Sequence, residues 1–171
     1  TKRACELAGL NVLEIIGDSV AAVLYYGCTR DNNEKTVLIY NLGGGTFDVT
    51  IVKISYDKIK LVYSDEDRDL GGRNWDEKLM SYIANEIIKK IGNTEFDEYI
   101  LQDLKYKVEY MKKKLSVKVQ ASAVFNILGE KIVVKVTREE FENITSDLLH
   151  KTLNKTDKAI EIAKSKGYNQ I

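Results

Sequence analysis

The spacing of apolar and polar positions at the start of the chain predicts a helix, then a short strand, then a second helix. Residues 2–9 predict the end of a helix, and the β-branched run at 11–16 predicts a short strand. An apolar helix is expected next over residues 20–26, with Gly27 as its stop. A polar loop over 28–35 would follow it.

Three strands are predicted after this loop, because apolar and β-branched residues dominate 36–41, 46–54 and 58–63. Three glycines, Gly43 to Gly45, separate the first two strands, and residues 55–57 separate the second and third. Such short connections favour hairpins.

After residue 70 the spacing of the apolar residues changes to that of a helix. Apolar residues three or four apart predict helices over 71–91 and 97–115. A small sheet is expected next, with strands at 116–121, 123–128 and 131–136.

The last part of the chain is predicted to be helical. Thr137 and Glu140 have the spacing of a capping box, which opens a helix through residue 149, and a final amphipathic segment reaches residue 164. The order of elements indicates an α/β fold in which a small subdomain is inserted into a larger one. The expected bounds are 1–70 with 141–171 for the larger subdomain and 71–140 for the insert.

Composition excludes several classes of function. The chain has 171 residues, 44% of them hydrophobic, which is enough for a core. The 26 basic and 26 acidic residues cancel, so no overall field favours nucleic acid or an anionic membrane. Two cysteines and one histidine exclude a disulfide framework and a zinc, haem or iron–sulfur site. The missing initiator Met suggests a piece of a longer protein.

The glycine run between the first two predicted strands carries the most chemical information. Glycines let backbone N–H groups approach a phosphate with no Cβ in the way. Thr46 adds a hydroxyl, and Asp48 has the carboxylate that can hold a hydrated Mg²⁺ or orient a water. On spacing alone, a hairpin tip without a ligand is an equally good interpretation.

Several motifs in register give the chain its resemblance to a known family. The run Asn41-Leu-Gly-Gly-Gly-Thr-Phe-Asp48 resembles the second phosphate loop of the seventy-kilodalton heat-shock (DnaK-like) chaperones, with Asn41 in place of an Asp. Leu70-Gly-Gly with Trp75-Asp76 and Glu109 to Ser116 resemble further family motifs. The resemblance covers essentially the whole chain. It implies lobe II of an actin-like ATPase, with a ribonuclease-H-like subdomain carrying an inserted α+β subdomain.

The resemblance also implies roles for matching positions in binding ATP or ADP with Mg²⁺. Phosphate contacts fall on the glycine run and Thr46, and Gly72 would lie near the ribose. Asp18 and Asp48 would act in catalysis and reach the metal through water. The residues implied to hold adenosine are Glu109, Lys112, Lys113 and Ser116. Positions three or four apart share a helix face, although a solvated lysine face is the simpler interpretation without the family match.

Three departures from the family pattern bear on function. Asn41 removes a negative charge and a proton acceptor near the attacking water, and Asp18 is one methylene shorter than the family's Glu. Lys113 stands where the family has Arg, whose planar guanidinium stacks on adenine better than an ammonium does. Around Asn74 the sequence resembles the larger, hundred-and-ten-kilodalton relatives, which act mainly as exchange partners and holdases.

The leading hypothesis is therefore the ATP-binding lobe of a chaperone that hydrolyses MgATP to switch a peptide-binding domain. Its implied partners are lobe I and the substrate-binding domain of the parent chain, a J-domain co-chaperone, an exchange factor and unfolded clients, with no nucleic acid and no membrane. A cytoplasmic location is expected, with an organelle lumen left open. The alternatives are a non-hydrolysing exchange-factor-like relative, in which this lobe is an interaction module, and a sugar or acetate kinase of the same superfamily.

Overall fold

The computed structural model describes residues 1–29, 34–55 and 58–171. The predicted loop at 28–35 and the turn at 55–57 therefore lie partly outside the described residues. The elements in chain order are α1 (Lys2–Leu7), α2 (Asp18–Thr29), β1 (Lys35–Leu42), β2 (Phe47–Ser55), β3 (Lys58–Asp67), α3 (Gly72–Ile91), α4 (Glu98–Leu115), β4 (Gln120–Ile127), β5 (Glu130–Thr137) and α5 (Arg138–Ser165).

The chain forms two compact units. Unit 1 consists of Thr1–Asn41, Val49–Ser64 and Ala159–Ile171, and unit 2 of Leu42–Asp48 and Asp65–Lys158. The subdomain bounds expected from the sequence stay a prediction. No helix in the described part of the chain is long and apolar enough to cross a membrane.

Most of the sheet of β1, β2 and β3 belongs to unit 1, and Val49, Ile51, Val52 and Val62 are its buried apolar residues there. Its strand order is β1-β2-β3, and the short connections allow only antiparallel neighbours. The central strand is buried without alternation over residues 49–52, so both of its faces are covered. The one polar side chain in that run, Thr50, is hydrogen-bonded to the Ser64 hydroxyl at 2.9 Å. All three predicted strands are thus confirmed.

Unit 2 has a core made from one face of α3, one face of α4 and the inner face of a hairpin. Strands β4 and β5 pair antiparallel with Phe125 opposite Ile132, and their two-residue turn has positive φ at Leu128 (52°) and Gly129 (83°). Both dihedrals suit a type I′ turn, which follows the right-handed twist of a hairpin. The largest side chains of the core are Leu79, Ile83, Ile87, Leu104, Met111, Leu115, Phe125 and Ile127.

The predicted strand at 11–16 is wrong. Residues 10–17 form no helix or strand, and Leu13 is 91% exposed. A strand is held by the ladder of a neighbour, and no described strand pairs with this run. Its β-branched composition alone does not create one.

Two further predictions about where elements begin and end are wrong, each for its own reason. Helix α2 continues through Gly27, because one glycine inside a helix costs only about 1 kcal/mol. The predicted strand at 116–121 is absent, since the backbone N–H groups of Ser116, Val117 and Lys118 donate back to the last turn of α4. Strand β4 begins only at Gln120.

The predicted start of the last helix is confirmed, whereas the prediction for its middle is wrong. The Thr137 hydroxyl accepts from the Glu140 amide at 3.1 Å, and a Glu140 carboxylate oxygen accepts from the Thr137 amide at 2.7 Å. From this capping box α5 runs unbroken to Ser165, without the predicted interruption near residue 149. Tyr82 donates to the same carboxylate, and burial together with this hydrogen bond raises the pKa of Tyr82 to about 12.

Candidate functional site

The glycine loop, defined as Gly43 to Thr46, connects β1 to β2 and belongs to unit 2 from end to end. The Gly43 amide donates to the Thr46 carbonyl at 2.8 Å, which closes the turn. A Cβ added at Gly44 or Gly45 would meet nothing within 4 Å, and neither residue has a positive φ. Glycine at these two positions is therefore required neither by packing nor by a left-handed backbone.

A neighbouring glycine does have a packing reason. A Cβ added at Gly71 would lie 2.5 Å from the N and Cα atoms of Gly45, and 2.6 Å from its carbonyl carbon. Backbone atoms cannot rotate away as the end of a side chain can, so only glycine permits this approach. Gly71 thus fixes where the loop lies against the start of α3.

Backbone hydrogen bonds join the glycine loop to the first turn of α3. The amide of Gly72 donates to the Gly43 carbonyl at 2.9 Å, and the amide of Arg73 donates to the Gly44 carbonyl at 2.8 Å. The first amides of a helix have no partner within the helix, and the loop supplies theirs. The amides of Gly44 and Gly45, in contrast, donate to no other residue that the structure describes.

Lys112 connects α4 to the first residues of α3, which are hydrogen-bonded to the glycine loop. Its Nζ lies 2.7 Å from Asp76 Oδ2 and 3.1 Å from the Gly72 carbonyl oxygen. The structure therefore brings together the glycine loop, Gly72 and one of the four residues predicted to hold adenosine.

The next residues of that predicted set lie on the exposed side of α4. Lys113 Nζ forms an ion pair with Glu109 Oε1 at 2.6 Å, and Lys113 is 71% exposed. The hydrogen bond and the charge of Lys113 lower the pKa of Glu109, and the same contact raises the pKa of Lys113. Ser116 caps the C-terminus of α4 and is exposed. Their predicted role in binding adenosine stays a prediction.

The acidic residues predicted to act in catalysis fall in different units. Asp18 begins α2 in unit 1, where its carboxylate accepts from the Ser19 amide at 2.8 Å and from Asn41 Nδ2 at 3.3 Å. Asp48, the second residue of β2, belongs to unit 2 and is half-buried. Asn41 thus contacts the carboxylate that the resemblance assigns to the metal's water shell.

A separate cavity of about 990 Å³ lies in unit 1, against β1 and α2. Its walls include apolar side chains such as Val23, Val37 and Ile160. None of the predicted site residues belongs to its described lining, and the convergence of polar groups lies instead at the glycine loop.

A comparison with known protein families confirms the resemblance noted in the sequence. The family model described as "Hsp70 protein" matches residues 1–171. The chain belongs to the Hsp70 family. Members of this family are chaperones that generally bind ATP or ADP with Mg²⁺ and work with clients and co-chaperones. The mixed α/β architecture is compatible with a lobe of the family's nucleotide-binding domain.

The sequence motifs include three residues near the loop but do not reveal their contacts. Gly71 belongs to the Leu70-Gly-Gly motif, and two adjacent glycines before a helix are a signal of close approach. Asn74 accepts from the Gly71 amide at 2.8 Å and caps α3. Asp76, the partner of Lys112, is 36 residues away in sequence, and no local pattern could have paired them.

Proposed function

We propose that this chain is the ATP-binding lobe of an Hsp70-family chaperone whose complete nucleotide-binding domain binds and hydrolyses MgATP to switch a peptide-binding domain. In this proposal the glycine loop, Gly43 to Gly45 with Thr46, contacts the phosphates. The family resemblance implies that Asp18 and Asp48 would each reach Mg²⁺ through water, and that Glu109, Lys112, Lys113 and Ser116 would receive the adenosine.

The observation that carries the proposal is that two carbonyls of the glycine loop are hydrogen-bonded to α3, whereas two of its amides are left for a ligand. Its carbonyls at Gly43 and Gly44 are used by α3, whereas the amides of Gly44 and Gly45 donate to no other described residue. Unpaired amides on a loop with no Cβ are what an anionic oxygen requires. A plain hairpin tip does not explain why residues 44 and 45 are both glycine, since neither packing nor a left-handed backbone requires glycine there.

Substitutions at Gly44 test this proposal in the complete protein. Gly44→Ala and Gly44→Val should weaken ATP binding in order of side-chain size, because each added carbon fills the space through which a phosphate reaches the amides. Stability should change by less than about 0.5 kcal/mol, as is usual at an open surface position. Calorimetry gives the ATP affinity, and thermal unfolding run in parallel shows that the variants are folded. Unchanged affinity in a folded Gly44→Val protein would favour the plain hairpin.

One contact favours a second candidate function. Asn41 donates to Asp18, so a carboxamide occupies the position where the family pattern has a second carboxylate. A carboxamide neither accepts a proton from water nor holds a cation as a carboxylate does. This favours an exchange-factor-like or holdase relative that binds nucleotide without hydrolysing it. Single-turnover hydrolysis of pre-bound ATP by the complete protein separates the two functions.

A further inference from the structure

Lys112 is held differently from the lysines beside it. Its side chain is only 22% exposed and contacts two oxygens from α3, the Asp76 carboxylate and the Gly72 carbonyl. Lys113 is 71% exposed, and the Lys114 ammonium lies 3.4 Å from the Tyr110 hydroxyl on its own helix. Among these three lysines, Lys112 connects α4 to α3.

The contacts of Lys112 continue into the glycine loop. The peptide unit of Gly72 accepts from Lys112 at its carbonyl, while the amide of the same residue donates to the Gly43 carbonyl at 2.9 Å. The next amide, that of Arg73, donates to the Gly44 carbonyl. A displacement of Gly72 would therefore move both loop carbonyls, and Lys112 opposes such a displacement.

The partner carboxylate supports a role in positioning. Asp76 Oδ2 accepts from Lys112, but Asp76 Oδ1 is buried and has no hydrogen-bond partner among the described residues. A buried oxygen without a partner lowers stability, so this geometry is not the most stable one available to a carboxylate. The contact that Asp76 does make is the one that orients the Lys112 ammonium toward Gly72.

We propose that Lys112 is a positioning residue, which with Asp76 holds the start of α3 and so fixes the glycine loop. The inference rests on the proposed function for its consequence, the binding of phosphate by the loop. The contacts that carry it lie within unit 2 and do not depend on a nucleotide.

Amide exchange in the complete protein without nucleotide tests the positioning role directly. Lys112→Met keeps the aliphatic stem but removes the ammonium, so exchange at the Gly72 and Arg73 amides should accelerate roughly tenfold or more, as expected for the loss of a charge-assisted hydrogen bond. Asp76→Asn should accelerate the same amides, and the double variant should add little to Lys112→Met. Lys112→Arg, which can donate to both oxygens, should restore much of the protection.

Lys114→Met is the matched control, because it removes the same charge two residues along α4. It should leave the Gly72 and Arg73 amides unchanged. If Lys112→Met does not fold, Asp76→Asn and Lys112→Arg provide the same comparison. Exchange at Gly72 and Arg73 that is the same in Lys112→Met, Asp76→Asn and the parent protein would overturn the proposal.

Ligand binding separates positioning from direct contact. If Lys112 positions the loop, Lys112→Met and Asp76→Asn should both weaken ADP binding, because Asp76 has no predicted contact with the nucleotide. A loss of ADP affinity in Lys112→Met with none in Asp76→Asn would show direct contact alone and overturn the proposal. If the parent protein binds no ADP, the proposed function fails, and the exchange result still decides the role of Lys112.

Discussion

The glycine loop and the Asp18–Asn41 pair are built in opposite ways. The loop is held by backbone atoms, through hydrogen bonds of 2.8 to 2.9 Å to α3 and the approach of Gly45 to Gly71. The contact of Asn41 with Asp18, in contrast, is an exposed hydrogen bond between two side chains, with 3.3 Å between Asn41 Nδ2 and Asp18 Oδ2. The first arrangement follows from the path of the chain, and the second from the identity of one side chain.

This difference separates binding from chemistry in the proposed function. The backbone hydrogen bonds of the loop depend on few side chains, chiefly those of Lys112 and Asp76, so phosphate binding is expected to tolerate most substitutions elsewhere. Proton transfer and metal hydration depend on having a carboxylate at a given atom. In that proposal hydrolysis can be lost through a single change, such as Asp to Asn, while the glycine loop remains intact.

The largest expected effect concerns the 171-residue chain by itself. Phosphoryl transfer depends on groups positioned on several sides of the γ-phosphate, and the family resemblance implies that lobe I supplies part of them. The purified chain should therefore show no ATPase above background, even with an ordered glycine loop. Steady turnover that Asp48→Ala abolishes would contradict this expectation.

The second effect tests whether Asn41 alone limits the chemistry. In the complete protein Asn41→Asp places a carboxylate beside Asp18, and like charges at this distance favour a bound cation or a shared proton. General-base assistance is typically worth about 10²–10⁴-fold, so single-turnover hydrolysis should rise at least tenfold and should need Mg²⁺.

Asn41→Ala is the control for that experiment, because it removes the amide without supplying a carboxylate. It should leave hydrolysis unchanged within about twofold. If the hydrolysis rate of Asn41→Asp changes by less than about twofold while ATP is still bound, the ATPase hypothesis is contradicted and the exchange-factor-like alternative is favoured.

The third effect contrasts two glycines of the same site. Gly71→Ala forces a Cβ to within 2.5 Å of the Gly45 backbone, so the loop or α3 must shift. Overpacking of this kind typically costs about 1–3 kcal/mol, whereas Gly44→Ala should cost less than about 0.5 kcal/mol. Denaturant unfolding of both variants measures the difference. Equal stabilities would show that the loop is not held against α3 in solution.

The sequence predicted those parts of the fold that have local signals. Period and glycine spacing located the strands on either side of the glycine loop, and Thr137 with Glu140 marked the start of α5. The phosphate-binding interpretation of the loop also came from local features, since glycines and a hydroxyl follow one another along the chain.

The remaining features depend on contacts between distant residues. The run at 11–16 has the composition of a strand but no described partner, and composition does not report on partners. The pairing of Lys112 with Asp76 joins two helices, and the packing of Gly71 on Gly45 joins a loop to a helix. A single sequence contains no signal that specifies either contact.

The smallest expected effect concerns the exposed side of α4. Lys113 pairs with Glu109 at 2.6 Å, and an arginine can keep this ion pair while presenting a planar face to a base. If Lys113 covers the adenine, Lys113→Arg should tighten ADP binding by about 0.5–1 kcal/mol, which is roughly two- to fivefold in Kd. The matched control is Lys114→Arg, because Lys114 already lies over the Tyr110 ring at 5.3 Å and has no predicted contact with nucleotide. Calorimetry with ADP and with pyrophosphate, which has no base, distinguishes stacking from a shift of charge. A gain of equal size for pyrophosphate would place Lys113 near the phosphates and remove it from the adenosine-binding residues.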